Sequence, residues 1–236
     1  SALLRAIEKK GYSEPSPIQA KAIPAVLAGH DVMAAAQTGT GKTAGFTLPI
    51  LERLSKGRRA GPNQARTLIL TPTRELAAQV GESVALYGKH LNLSSAVVFG
   101  GVKINPQMMK LRRGVDILIA TPGRLMDLHS QNAVKFDHLE VLVLDEADRM
   151  LDMGFIHDIK KIIKMLPEKR QSLFFSATMP DKILGLSKTI LSNPKNVSVD
   201  QVSSTAETIQ QYIYYTNRSS KKDLLFHILD DSKTQK

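Results

Sequence analysis

The sequence predicts an α/β domain built as a doubly wound, mostly parallel sheet with helices on both faces. Three observations carry this expectation. Short apolar runs recur at Val32–Ala35, 67–71, 96–99, 117–120, Val141–Leu144, 173–175 and 196–199. Stretches with helical spacing lie between several of them, and strand–helix alternation joins parallel strands through right-handed crossovers. The runs end in turns of Gly, Thr, Pro, Arg or acidic residues, and an open parallel sheet binds its ligands beyond the strand C-termini.

The elements follow in order. Residues 2–10 predict the end of an amphipathic helix with Leu3, Leu4 and Ile7 on one face, stopped by Gly11. Residues 11–19, Gly-Tyr-Ser-Glu-Pro-Ser-Pro-Ile-Gln, form a turn stiffened by two prolines ahead of a helix at 18–28. A rigidly held Gln19 amide can offer a donor and an acceptor to one purine edge. The turn also reads as a simple helix cap, and both readings stand at this stage.

The first strand runs into Ala36-Gln37-Thr38-Gly39-Thr40-Gly41-Lys42-Thr43, and a helix is predicted from Lys42 to Leu54. Strand, glycine-rich turn and helix make the setting of a phosphate-binding loop (P-loop). Gly39 and Gly41 let successive N–H groups point at an anion, and the helix N-terminus adds positive potential. Lys42 is placed to reach the β- and γ-phosphates and the Thr43 hydroxyl to bind Mg²⁺. One departure from G-x-x-x-x-G-K-[ST] is Ala36 in place of the first glycine.

Residues 56–66 are a basic Gly/Pro-containing connector, read as a solvated loop rather than a nucleic-acid contact. The strand at 67–71 leads to Pro72, Thr73 and Arg74, with Thr73 starting a helix that buries Leu76, Val80 and Val84. The strand at 96–99 ends in Gly100 and Gly101, and that at 117–120 ends in Thr121, Pro122, Gly123 and Arg124. Thr hydroxyls, glycine N–H groups and arginines hold a phosphodiester backbone without reading bases. The fully apolar run Val141–Leu144 ends in Asp145-Glu146-Ala147-Asp148. Asp145 suits a Mg²⁺ ligand, in part through water, and Glu146 suits the orientation or deprotonation of an attacking water.

Helices are predicted at 149–155 and 156–166, with Met150, Met153 and Met165 as core filling. The strand at 173–175 ends in Ser176-Ala177-Thr178. Residues 203–208 read as a linker, followed by an alternating strand at 209–216 and a helix carrying Leu224, Leu225, Ile228 and Leu229.

Composition narrows the function classes. The net charge is +10, which points to a polyanionic partner, and 5% aromatics argues against base stacking as the main grip. No apolar run approaches the length of a membrane span. No signal peptide is read, and the absence of cysteine fits a reducing, cytoplasmic setting. The six histidines show no metal-ligand spacing. Ser1 in place of Met predicts a chain that starts inside a longer protein or after processing.

Together these stretches resemble the first RecA-like domain of DEAD-box ATP-dependent RNA helicases, and within them bacterial RhlE-type proteins. Residues 11–19 resemble the adenine-reading Q motif, and residues 36–43 the family's own P-loop, alanine included. Pro72 to Ala77, Gly100-Gly101 and Thr121 to Arg124 are similar to its RNA-backbone motifs. Asp145-Glu146-Ala147-Asp148 spells the family name, and Ser176-Ala177-Thr178 is similar to the segment that couples ATP state to RNA binding; the resemblance implies an interdomain-coupling role for Asp148, Ser176 and Thr178. The resemblance implies a RecA-like P-loop NTPase domain at 1–203 and a truncated start of a second RecA-like domain at 204–236. It implies ATP and Mg²⁺ as ligands and RNA as a sequence-independent partner. The aromatic residue that precedes the family's Q motif has no counterpart here. A chain lacking the second domain is expected to bind nucleotide but hydrolyse it poorly, and to be a monomer unless its tail pairs two copies. A DNA translocase of the same superfamily and a non-catalytic nucleotide- or RNA-binding module are the alternatives. A GTPase is disfavoured, since no Asn-Lys-x-Asp segment occurs.

Overall fold

The computed structural model describes residues 2–37, 39–198 and 212–230. The chain divides into two compact units, 1–201 and 202–236. In the first unit the strands are β1 Val32–Ala35, β2 Ala65–Leu70, β3 Ser95–Val98, β4 Val115–Ala120, β5 Val141–Leu144, β6 Gln171–Ser176 and β7 Lys195–Ser198. The helices are α1 Ala2–Lys9, α2 Pro17–Leu27, α3 Lys42–Leu54, α4 Arg74–Tyr87, α5 Asn105–Leu111, α6 Pro122–Ser130, α7 Ala147–Asp152, α8 Ile156–Met165 and α9 Asp181–Ile190.

The described strands form one sheet in the order β3-β4-β2-β5-β6-β1-β7, and every pairing is parallel. Successive strand residues point to opposite faces, so a strand covered on both sides must be apolar throughout. Leu142 and Leu144 pack with Phe174 and with α6 to α9, whereas Val141 and Val143 pack with Phe175 and with α1 to α4. Helices α1 to α4 therefore cover one face and α5 to α9 the other. The chain moves from β1 through β2 to β3 with its helices on the first face, then returns with its helices on the second, which keeps each crossover right-handed.

Several sequence readings need correction. In α1, Leu3 and Ala6 are buried and Ile7 half-buried, but Leu4 is exposed. The buried stripe of so short a helix follows the i, i+3, i+4 spacing from Leu3. Met150 is fully buried and Met165 packs on the core, but Met153 is 47% exposed, because it caps α7 just before Gly154 turns the chain. Helices α5, α6 and α9 were not legible as helices; α5 and α6 each open on a proline in the first turn, which reads equally as a loop.

The second unit contains α10 Lys221–Asp230, as expected from Leu224 and Ile228, which are its half-buried positions. Residues 212–217 are not a strand. An alternating pattern becomes a strand only where a second strand pairs with it, and no strand is described within this unit. Residues 209–211 and the proposed linker at 203–208 lie outside the described residues. No described helix is long and apolar enough to cross a membrane.

Candidate functional site

Strand order brings the sequence motifs together along one edge. The chain leaves β1 at Ala36, whose N–H donates to the Ser176 carbonyl at 3.0 Å. Thr71, Thr121 and Asp145, each just past a strand end, donate to the carbonyls of Ala120, Val98 and Leu70 in the neighbouring strands. Two halves result. β5, β6 and β1 are adjacent and carry the acidic turn, the Ser-Ala-Thr turn and the P-loop. β3, β4 and β2 are adjacent and carry the three Thr/Pro/Gly/Arg turns.

In the first half, Ala36 is buried and its φ lies outside the left-handed region, so a methyl group costs nothing where other P-loops place glycine. Gly39 and Gly41 have φ of 86° and 91°, which only glycine adopts freely. Gly41 is the N-cap of α3, and a Cβ there would collide with Gln19 Nε2 and lie 2.9 Å from Ser16 Oγ. Thr40 Oγ1 donates to the Gln37 carbonyl at 2.7 Å, tightening the loop. Thr38 lies outside the described residues.

Gln19 sits in the first turn of α2, where the Ser16-Pro17 cap aims it at the loop. Its Oε1 accepts from the Ser16 N–H at 3.1 Å, and its Nε2 donates to the Gly41 carbonyl at 3.1 Å. Ser16 Oγ donates to the Thr40 carbonyl at 2.8 Å. The cap reading of this turn is realised, and the same residues also grip the P-loop. Ser16 is a site residue that the sequence reading missed, and its three-residue spacing to Gln19 is the signal of a capping box.

Lys42 and Thr43 open α3. Lys42 is buried, and its Nζ has no hydrogen-bond partner. Asp145 is 2% exposed and its Oδ1 is also without a partner. Burial pushes the Asp145 pKa up to about 6, against the opposing charge of Lys42, and the neighbouring Glu146 adds to the rise. A buried ammonium and a buried carboxylate oxygen left unsatisfied are costly unless something binds them. The ammonium calls for an anion and the oxygen for a cation, so the residues fit a Mg²⁺–nucleotide complex.

Glu146 occupies the left-handed region, φ 55° and ψ 54°, as the N-cap of α7. A non-glycine residue held there marks a constrained position at a site. Arg149 Nη1 lies 3.3 Å from Glu146 Oε2, a contact the i,i+3 spacing on α7 could have signalled. Asp148 holds the next turn: its Oδ2 accepts from the Thr178 N–H at 2.9 Å and from Thr178 Oγ1 at 3.0 Å. Its own N–H donates to Ser176 Oγ at 3.1 Å. Burial alone would raise the Asp148 pKa, but the Thr178, Arg149 and Ser176 hydrogen bonds hold it below the usual carboxylate value.

In the second half, Pro72 is buried and Thr73 caps α4, its Oγ1 accepting from the Leu76 N–H at 3.2 Å. Arg74 is exposed and lies over Gly101, where a Cβ would come within 2.5 Å of Arg74 Nη1. Gly101 has φ 80°, and Gly100 and Gly123 have open space where a Cβ would stand. Thr121 caps α6 with Pro122 at its first position. Arg124 Nη2 donates to the Val102 carbonyl at 2.9 Å, while its Nε and Nη1 are buried without hydrogen-bond partners. Val102 is thus an anchor that no motif announced. All these residues lie on one edge, which presents bare backbone at Gly101 and Gly123 and the exposed Arg74 guanidinium, with the Arg124 guanidinium largely buried behind them.

The chain matches the family model for DEAD/DEAH box helicases over residues 16–186. It is 44% identical over 228 residues to the ATP-dependent RNA helicase CshA of Limosilactobacillus reuteri, covering 97% of this chain and 45% of that protein. It is 42% identical over 228 residues to the DEAD-box ATP-dependent RNA helicase CshA of Streptococcus pneumoniae, covering 97% of this chain and 43% of the relative. A crystal structure of a hypothetical ATP-dependent RNA helicase from Sulfolobus tokodaii superposes with a TM-score of 0.77 at 35% identity, covering 84% of this chain and 56% of that one. The chain spans less than half the length of these curated relatives, and RhlE is not among their names. With its motifs aligned along one sheet edge and a family model matching well over half its length, the chain belongs to the DEAD/DEAH box helicase family.

Proposed function

We propose that this chain is the nucleotide-binding domain of an ATP-dependent RNA helicase acting in the cytoplasm. The observation that carries the reading is the pair of unsatisfied buried groups, Lys42 Nζ and Asp145 Oδ1, on the same edge as the backbone-binding turns. Lys42 and the loop from Ala36 to Thr43 hold the β- and γ-phosphates, and Gln19 reads adenine. Thr43 and Asp145 hold Mg²⁺, which neutralises phosphate charge when bound. Glu146 takes the proton of the attacking water, positioned by its pairing with Arg149.

Pro72, Thr73, Arg74, Gly100, Gly101, Thr121, Pro122, Gly123 and Arg124 hold RNA by phosphate and sugar. Asp148, Ser176 and Thr178 join the acidic turn of β5 to the end of β6, which supports their reading as the link between nucleotide state and RNA grip. More than half the length of the CshA relatives lies outside the match. We assign cleft closure to a second domain there, so the described domain alone is a monomer that binds nucleotide and turns it over slowly. The test is ATP hydrolysis by the full-length protein with RNA or DNA added. Stimulation by RNA alone supports the reading; equal stimulation by DNA would replace it with a DNA translocase.

A further inference from the structure

We propose that the opposite edge of the sheet, where the strands begin, carries a second groove for the sugar-phosphate backbone of single-stranded RNA. The proposal rests on the RNA reading above and extends it to a face that reading leaves unused. Two cavities of about 690 Å³ and about 430 Å³ share His138 and Glu140 as walls. The larger lies where β1, β5 and β6 begin, and the smaller lies along the connector between α3 and β2.

Six cations line this trough: Arg53, Lys169 and Arg170 in the larger part, and Arg58, Arg59 and Arg66 in the smaller. Arg66 is paired with Asp116 and Glu140, which leaves five. Among the described residues none of the five forms an ion pair. Arg53 donates to the neutral Gln171 side chain, and Arg170 Nη1 to the Pro167 carbonyl at 2.6 Å, so neither hydrogen bond goes to a carboxylate. Arg170 Nε is buried without a hydrogen-bond partner. The carboxylates on the same walls are engaged: Glu140 accepts from Arg66 Nε at 2.7 Å and Asp137 from Gln64 Nε2 at 3.0 Å. The connector read from sequence as a solvated loop at 56–66 is one only as far as residue 64, because Ala65 and Arg66 are buried in β2. Its exposed cations Arg58 and Arg59 share a wall with Lys169 and Arg170, just before β6.

The lining contains no Phe, Tyr or Trp. Tight protein interfaces centre on aromatic or apolar anchors in pockets, which this trough lacks, and base stacking would need rings. Exposed Arg58, Arg59 and Lys169 are instead suited to follow a chain of phosphates. A strand held at the site edge and long enough to pass around the domain would reach them.

The experiment compares Arg58→Glu/Arg59→Glu/Lys169→Glu with the unaltered chain, on a short RNA that occupies one face and on a long unstructured RNA. All three side chains are exposed, so the fold should survive, and unchanged ATP affinity checks it. The long RNA should lose at least about tenfold in affinity, and its salt slope should fall by about 2, at about 0.7 per phosphate contact. The short RNA should bind as before. Unchanged long-RNA binding would overturn the groove, as would an equal loss for both RNAs, which would make the charges a general field. Polyglutamate binding to the unaltered chain more tightly than the long RNA, through the same three residues, would overturn it in favour of an acidic protein. Failure of the short RNA to bind the unaltered chain at all would instead sink the underlying RNA reading.

Discussion

Gln19 Nε2 donates to the carbonyl of Gly41 at 3.1 Å, so the residue proposed to read the base also holds the loop proposed to bind the phosphates. Because Gly41 stands at φ 91° directly under that amide, the two positions constrain each other.

Gln19→Ala should therefore weaken ATP by more than the loss of base contacts. Two hydrogen bonds to the loop and its cap disappear, each worth about 0.5–1.5 kcal/mol, so affinity should fall roughly tenfold or more. Calorimetry with ATP and GTP checks this: ATP affinity should drop toward that of GTP, while GTP itself also weakens. Retained GTP affinity would show that the grip on Gly41 does not matter to the loop.

Lys42→Ala and Glu146→Gln should fail in different ways in the full-length protein. Lys42 supplies the buried, unpartnered ammonium proposed to meet phosphate, so its loss should raise the dissociation constant as well as abolish turnover. Loss of the Glu146 base should lower kcat by about 10² to 10⁴ with nucleotide still bound. Equilibrium binding of a fluorescent ATP analogue beside turnover separates the two.

Arg74→Ala removes an exposed guanidinium that lies over Gly101. Short RNAs of unrelated sequence should all weaken by a similar factor, and the salt slope should fall by about 0.7. Binding titrations at several salt concentrations measure both. A loss confined to one base sequence would contradict a backbone role.

The isolated chain should bind ATP while hydrolysing it about 10³-fold or more slowly than a full-length relative, the scale of an arginine supplied by the second domain proposed above. Single-turnover measurement with RNA present checks this; full-rate turnover by residues 1–236 would refute it.

Asp116 predicts the acid behaviour of the fold. Burial by itself would raise its pKa, but the N–H and hydroxyl of Ser94, the Ala60 N–H and Arg66 hold it below the ordinary carboxylate value. A lowered folded pKa means the unfolded chain binds more protons, so the contribution is complete above the ordinary Asp value and is lost as pH falls through the folded one. Asp116→Asn should destabilise the chain by about 1–3 kcal/mol at neutral pH, because it removes the buried one of Arg66's two carboxylate partners and leaves only Glu140. Urea unfolding across acidic pH should show a shallower pH dependence in the variant.

What the sequence by itself determined was local. Val141–Leu144 is apolar at every position, and a strand covered on both faces needs that. The bounds of β1 and α3 follow from Val32 and from the Gly41-Lys42 start with the same directness. Glycine-rich turn chemistry likewise marks the P-loop without reference to anything distant. Thr121-Pro122 was legible as a turn but not as the start of α6, because proline opens helices and loops alike.

Only the tertiary structure decided which turns meet. Ala36 touches Ser176 across more than half the chain because β1 lies between β6 and β7, and strand order is set by crossovers that local periodicity does not encode. Only packing left Lys42 Nζ and Asp145 Oδ1 buried without partners, and only the fold gathered Arg58, Arg59 and Lys169 on the opposite edge. Burial and proximity depend on the summed packing of distant residues, whereas the shape of a turn depends on the few residues that make it.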